Sequence, residues 1–132
     1  MSCVYLLCAD HPLPLYESHA RRRYTYRSTQ YDEEGFAVRE HTYYRAAAEE
    51  LGFSMKPWQR ELNLRATEQD ADLLRCYLHA NCAPGEQVEL WRLWVGDVGG
   101  RAFHLAGPLA DLDTDTLQQL DERDQTCITL TV

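Results

Sequence analysis

Several short stretches of this chain are apolar throughout or alternate between hydrophobic and polar residues, which predicts strands. Val4–Cys8 is a continuous apolar run that stops before Asp10, as a buried strand would. Val88–Val95 is apolar on both of its faces, which indicates a central strand that is covered on both sides. Alternation predicts two further half-buried strands, over residues 58–65 and 126–132.

Three other stretches carry the spacing or the end signals of helices. Apolar residues at every third or fourth position predict a helix over residues 42–51, which Gly52 would end. Thr67 is a typical N-cap residue ahead of an acidic first turn, and its helix is predicted to continue to about Asn81. A short third helix is expected over residues 114–121.

Two hairpins are predicted between these elements. Residues 22–30 are rich in Tyr and Thr and should form a strand, which turns and returns within residues 32–39. Gly96–Gly100 predicts a second hairpin loop, with its return strand over residues 102–106. This mixture indicates a single α+β domain over residues 1–132. Its sheet would be mixed and largely antiparallel, with about five to six strands and two to three helices packed on it.

Charge is distributed unevenly along the chain. Residues 1–66 carry nine basic and nine acidic side chains, whereas residues 67–132 carry four basic and twelve acidic ones, giving a net charge of −8. An acidic protein repels a phosphate backbone, so no nucleic-acid partner is expected. The sign of the charge instead favours a basic protein partner for the C-terminal half.

The cysteines and the lack of long apolar segments indicate a cytoplasmic protein. Five cysteines without a C-x-x-C pair are typical of free thiols in a reducing compartment. The apolar run near the N-terminus is too short for an export signal and has no basic residues before it. No stretch approaches the ~20 apolar residues of a membrane span, so no membrane association is expected.

Cys8, His11, His79 and Cys82 form two short motifs, a C-x-x-H and an H-x-x-C. They would supply four ligands to a tetrahedral zinc ion if the end of the first strand met the end of the second helix. The ordinary alternative is a buried thiol in each motif and an imidazole that is exposed or hydrogen-bonded. Zinc binding is therefore kept as a hypothesis for these four residues.

Asp111, Asp113, Asp115 and Glu122 occupy the first, third, fifth and twelfth positions of a calcium-binding loop. The sixth position, which needs glycine for a sharp turn, holds Thr116, and no helix is predicted to enter the loop. A helix start explains the same residues better, because aspartates cap helices and complement their N-terminal dipole. The sequence accordingly predicts neither a bound calcium ion nor a cofactor.

Arginines and tyrosines alternate in the strand predicted over residues 22–30. This alternation directs Arg21, Arg23 and Arg27 to one face and Arg22, Tyr24 and Tyr26 to the other. Such a face would bind an anion or stack on a base, although a solvated face is the more ordinary interpretation.

No catalytic motif is present, since the nucleophile-elbow, zinc-protease and dinucleotide-binding patterns are all missing. The sequence therefore favours a small, non-catalytic protein-interaction or regulatory module. Its acidic C-terminal half would contact a basic partner through Asp111, Asp113 and Asp121.

Two alternatives remain open at this stage. A small enzyme or ligand-binding protein would have a pocket near Trp58, Trp91 and His104, although tryptophans in strands more often anchor a core. A zinc-binding protein would use the four Cys and His residues named above.

Overall fold

Residues 2–132, which the computed structural model describes, form a large mixed sheet, a separate two-stranded ribbon and three α-helices. In chain order the elements are β1 (Ser2–Ala9), β2 (Tyr16–Glu17), β3 (Arg21–Tyr26), β4 (Thr29–Glu34), β5 (Ala37–Glu40), α1 (Arg45–Glu50), β6 (Trp58–Asn63), α2 (Glu68–Asn81), β7 (Gln87–Val95), β8 (Phe103–Pro108), α3 (Thr114–Asp121) and β9 (Thr126–Thr131). Seven strands form the sheet in the order β2-β5-β6-β1-β7-β9-β8, and β3 pairs with β4 alone. The predicted α+β class is confirmed, with more strands than expected.

Strands β1 and β7 lie at the centre of the sheet, as their apolar character predicts. They pair antiparallel along most of their length, and β6 and β9 flank them on either side. Because side chains alternate along a strand, Leu7 and Leu90 point to one face of the sheet, and Leu6 and Trp91 point to the other. We call these the first and the second face.

Helices α2 and α3 cover the first face. Leu74 and Leu78 of α2 and Leu120 of α3 are fully buried in the core that they share with the sheet. Each such leucine contributes roughly 1.5–3 kcal/mol through the apolar surface that it removes from water. The predicted cap of α2 is confirmed, since the Thr67 hydroxyl accepts a hydrogen bond from the Asp70 backbone N–H. No helix within residues 2–132 is long and apolar enough to cross a membrane.

Helix α1 and the segment that follows it cover the second face. Ala48 is fully buried there, and the ring of Phe53 stacks on that of Trp91 at 5.6 Å. The helix begins at Arg45, three residues later than predicted, and its N-cap residue Tyr44 makes no side-chain capping bond.

The ribbon β3–β4 corrects the first predicted hairpin. The expected single strand over residues 22–30 is broken by a two-residue turn at Arg27 and Ser28, which have φ values of +49° and +63°. The segment expected to return beside it, β5, pairs instead with β6 and β2. The ribbon therefore stands apart from the sheet, and the buried side chain of Arg22 connects it to the body of the protein.

Strand β8 corrects the second predicted hairpin. It follows the glycine-rich loop after β7, but it pairs in parallel with β9 and does not contact β7 as a neighbour in the sheet. Strand β9 lies between them, since it pairs antiparallel with β7 on its other side. The sheet is mixed for this reason.

Candidate functional site

A groove lies on the first face of the sheet, beside the C-terminal end of α3. Its larger part encloses about 570 Å³ and is lined mainly by β1, β7 and the segment that joins β6 to α2. A second part of about 320 Å³ lies between that segment and the ribbon. Arg65 lines both parts, and we call the two parts together the groove. Cavities of several hundred Å³ are typical of binding sites.

Polar side chains converge at the wall of the larger part. The Tyr5 hydroxyl donates a hydrogen bond to Asp121 Oδ1 at 2.5 Å, and the Nε atom of Arg92 lies 3.1 Å from the same oxygen. The Arg92 guanidinium also donates to the Arg123 carbonyl and lies 5.2 Å from the ring centre of Trp94. These contacts hold Arg92 in one orientation at the groove. The buried Nε1–H of Trp94 has no acceptor among residues 2–132.

The Cys3 thiol and the Tyr5 hydroxyl at this wall are held in their neutral forms. Burial raises the pKa of the Cys3 thiol, and the nearby Arg92 guanidinium offsets only part of that rise. Burial and the hydrogen bond to Asp121 raise the pKa of Tyr5 well above its ordinary value. A nucleophilic cysteine needs a lowered pKa, so these shifts favour binding over covalent chemistry at Cys3.

One face of the ribbon presents three tyrosines beside the smaller part of the groove. Tyr24, Tyr26 and Tyr31 are 48%, 56% and 42% exposed. The rings of Tyr24 and Tyr31, which are cross-strand partners, stack with their centres 5.3 Å apart. The guanidinium of Arg27 lies over the ring of Tyr26 at 5.2 Å. Arg27, which the alternation assigns to the arginine face, therefore contacts the tyrosine face at the tip of the ribbon.

The pocket expected near Trp58, Trp91 and His104 does not form. Trp58 lies opposite Ala9 on the first face, whereas Trp91 belongs to the core of the second face, so the sheet separates the two rings. Trp91 is 1% exposed, whereas His104 is exposed. The centres of their rings lie 5.7 Å apart, and the two rings are nearly perpendicular. Trp91 anchors the core, and Trp58 is 48% exposed.

The structure brings together two of the four residues in the zinc hypothesis. His11 and Cys82 meet, whereas Cys8 points into the core of the second face and His79 is exposed on α2. The third member of the cluster is Glu86, which lies in the loop before β7. The complete four-residue set is therefore wrong, because β1 turns Cys8 away from His11.

The three members of this cluster lie close together. The Nε2 atom of His11 lies 2.6 Å from Glu86 Oε2, and one donor atom each of His11, Cys82 and Glu86 lies within 4.8 Å of the other two. Burial raises the pKa of Cys82 to about 12, and the nearby Glu86 carboxylate adds to that rise. The bond to Glu86 is also the main reason why the pKa of His11 is raised.

The calcium-like run forms the start of α3 and not a loop. Asp113 is the N-cap, and its Oδ1 atom accepts from the Thr116 N–H at 2.9 Å. Glu122 follows at the C-terminal end of the helix, roughly 13 Å along the axis from Asp113 at 1.5 Å per residue. Asp111, Asp113, Asp115 and Glu122 therefore cannot converge on one ion.

Two of the three carboxylates predicted to contact a basic partner have internal contacts. Asp113 caps α3, and Asp121 is bound to Tyr5 and Arg92. Asp111 is exposed. Contact of these residues with a basic partner stays a prediction.

Sequence reasoning missed Arg92, Arg65 and Glu86, and a signal existed for one of them. Arg92 is a charged residue on a central strand that is otherwise largely apolar, and buried charges are seldom placed without a partner. Arg65 and Glu86 lie in connecting segments, where the sequence gives no indication of what they face.

Comparison of the chain with protein-family models, with curated proteins and with solved structures finds no match.

Proposed function

We propose that this protein is a non-catalytic, cytoplasmic interaction module that holds a segment of a partner protein in the groove between the ribbon and the first face. The observation that carries the proposal is the exposure of Tyr24, Tyr26 and Tyr31 on one ribbon face, next to a concave surface. Tyrosine, tryptophan and arginine dominate the energetically important positions of protein interfaces. Tyrosine supplies a large contact area at little cost in conformational entropy.

The charges of the groove favour an acidic segment of the partner. Within residues 2–132, Arg23 in the smaller part of the groove and Arg27 at the tip of the ribbon form no ion pair with a carboxylate. Arg65 lies 3.4 Å from Glu33, and its side chain stays 64% exposed. Guanidinium groups of this kind bind carboxylates through paired hydrogen bonds. A protein partner fits better than a nucleic acid, because the net charge of −8 opposes binding to a phosphate backbone.

Site-specific photocrosslinking tests the proposal. A benzophenone amino acid replaces Tyr26 in the full chain, the chain is expressed in its native host, and mass spectrometry identifies the crosslinked proteins. The matched control replaces Tyr43, which is 85% exposed and lies against Tyr44 on the side of the second face. We expect a partner that crosslinks at position 26 and not at position 43. Identical products at both positions, or none at position 26, would contradict the proposal.

Charge reversal identifies the chemistry of the partner. Arg23→Glu with Arg27→Glu should abolish crosslinking at position 26, whereas Arg45→Glu, which lies on α1, should leave it unchanged. Added salt should weaken the parent complex, because exposed charges are screened. A crosslinked product that nuclease digests would show that the groove binds nucleic acid instead.

A further inference from the structure

A second site lies at the opposite end of the sheet from the groove. His11 follows β1 at the end where Ala9 pairs with Trp58, whereas the groove lies beyond the other end of β6, at Asn63 and Arg65. Within residues 2–132, His11, Cys82 and Glu86 form a group of three metal-ligating side chains, with one donor atom of each within 4.8 Å of the others. His11 follows β1, whereas Cys82 and Glu86 both lie in the connection between α2 and β7, so the donors come from two separate parts of the chain.

The backbone fixes each segment at this site. Cys82 ends α2, and its N–H donates to the Leu78 carbonyl. Glu86 is held against the end of β9, where its carbonyl accepts from the Val132 N–H at 2.8 Å. Gly85 permits the turn between them with a φ of +85° and donates to the Val132 carbonyl at 2.6 Å. The spacing of Cys82 and Glu86 is therefore set by regular structure on both sides.

The orientation of His11 is also suited to a metal. The Pro12 carbonyl oxygen lies 3.0 Å from Nδ1 and can only accept, so Nδ1 carries the proton and donates it. The other ring nitrogen, Nε2, faces Glu86 and Cys82. Metal-binding histidines typically donate their second ring nitrogen to a carbonyl or carboxylate in this way, which fixes the ring and its tautomer.

We propose that His11 Nε2, Cys82 Sγ and the Glu86 carboxylate bind one Zn²⁺ ion, with a fourth position left for water or another ligand. A thiolate, an imidazole and a carboxylate are all established zinc ligands, and the thiolate disfavours Mg²⁺ and Ca²⁺. Zinc lies about 2.0–2.3 Å from such donors, which places two donors of one tetrahedral ion about 3.3–3.7 Å apart. The distance between His11 Nε2 and Glu86 Oε2, which is 2.6 Å here, would increase by about 1 Å when the ion binds.

Small side-chain rotations achieve this change. The His11 and Glu86 side chains are 35% and 23% exposed, so both have room to move and the ion has access from solvent. Lys56 is the nearby cation. Its Nζ atom lies 2.6 Å from Oδ2 of Asp10, the residue that precedes His11. The alternative is a permanent His11–Glu86 ion pair with a hydrogen-bonded thiol, which predicts no metal binding.

Cobalt substitution distinguishes the two. The full chain is freed of metal with a chelator, and Co²⁺ is added in steps while the absorption spectrum is recorded. We expect one equivalent to produce the near-ultraviolet charge-transfer band of a thiolate–cobalt bond together with the visible bands of four-coordinate cobalt. Zn²⁺ should then displace the cobalt and remove both. A parent protein without the charge-transfer band at one equivalent would overturn the proposal, whatever its variants do.

Variants then assign the ligands. Cys82→Ser should remove the charge-transfer band, and His11→Ala or Glu86→Gln should weaken Zn²⁺ binding by roughly a hundredfold, since loss of even an indirect partner costs about 10- to 100-fold. Cys76→Ser and His79→Ala are matched controls on α2, both at exposed positions, and should bind as the parent does. Circular dichroism confirms that each variant is folded. Equal binding by folded Cys82→Ser and Cys76→Ser would overturn the assignment.

Discussion

Arg22 and Asp70 form a buried, two-point ion pair that connects the ribbon to the first turn of α2. Arg22 Nη2 donates to Asp70 Oδ2 at 2.5 Å, and its Nε donates to Oδ1 at 3.3 Å. Asp70 is fully buried, and its Oδ2 also accepts from the Arg65 backbone N–H at 2.8 Å. One carboxylate therefore organises the ribbon, α2 and the centre of the groove.

Removing one partner of this pair should be strongly destabilising. We expect Arg22→Met to lower the free energy of unfolding by about 3–5 kcal/mol, because it leaves a buried carboxylate without its counter-charge. Urea unfolding measures the change. The double variant with Asp70→Asn should lose less than the sum of the two single changes, and strict additivity would show that the pair does not act as a unit.

Ribbon stability should depend on Gly35, which precedes β5. A Cβ atom at this position would lie 2.8 Å from the Ala20 carbonyl oxygen and 2.9 Å from the Ala20 Cβ. Gly35→Ala should cost about 1–3 kcal/mol, since backbone must shift to make room. Gly107→Ala is the matched control, with nothing within 4 Å of the added atom. Thermal unfolding compares them, and equal melting temperatures would contradict the expectation.

Buried His41 should make the protein less stable in mild acid. The residue is 3% exposed, neither ring nitrogen has a hydrogen-bond partner among residues 2–132, and burial lowers the pKa of the ring. Glu61, 3.7 Å away, and Glu49 oppose this shift, whereas Arg45 adds to it. The unfolded chain takes up a proton near the ordinary histidine pKa of about 6.5, and the folded chain does so only at lower pH.

The stability that neutral His41 provides is therefore complete above about pH 6.5 and is lost as the pH falls below it. Urea unfolding at about pH 7.5 and pH 5.5 should show a smaller difference for His41→Leu than for the parent chain, since the ordinary pKa lies inside that window. An unchanged difference would mean that another group controls this window.

Asp113 should stabilise α3 as a cap and not as a calcium ligand. Asp113→Ala removes the acceptor of the Thr116 N–H and should lower the melting temperature. Asp115→Ala, in the first turn, should have a smaller effect because only a dipole interaction is lost. Added calcium should change neither result. A calcium-dependent rise in the parent that Asp113→Ala abolishes would restore the loop interpretation.

Elements whose signals are local could be predicted from the sequence. The Thr67 cap and the acidic first turn of α2 are encoded within four residues, and that helix was located to within one residue. The turn of the ribbon was missed because Arg27 and Ser28 adopt positive φ values without the glycine or asparagine that usually allows them. The glycine at position 35 predicts a turn there instead.

Features that depend on contacts distant in sequence could not be predicted. Glycine-rich loops occur in hairpins and also in longer connections between strands. The residues around this loop therefore do not indicate that β8 pairs in parallel with β9. The ends of β1 and α2 do lie near each other at His11 and Cys82, as the zinc hypothesis requires, whereas zinc binding itself stays a prediction. Cys8 was wrongly included as a ligand. It points into the core of the second face, and the face that a strand residue occupies is set by the sheet around it.

The order of the strands also limits aggregation of the folded protein. The two borders of the seven-stranded sheet are β2, which has two residues, and β8, which ends at Pro108 and so lacks one backbone N–H. An incoming strand from another chain would find few backbone groups to bind at β2, and Pro108 would offer it no N–H at the end of β8. The central apolar strands, which would be most prone to self-association, are enclosed by neighbours on both sides. We therefore expect the native chain to remain dispersed at concentrations where its unfolded form aggregates.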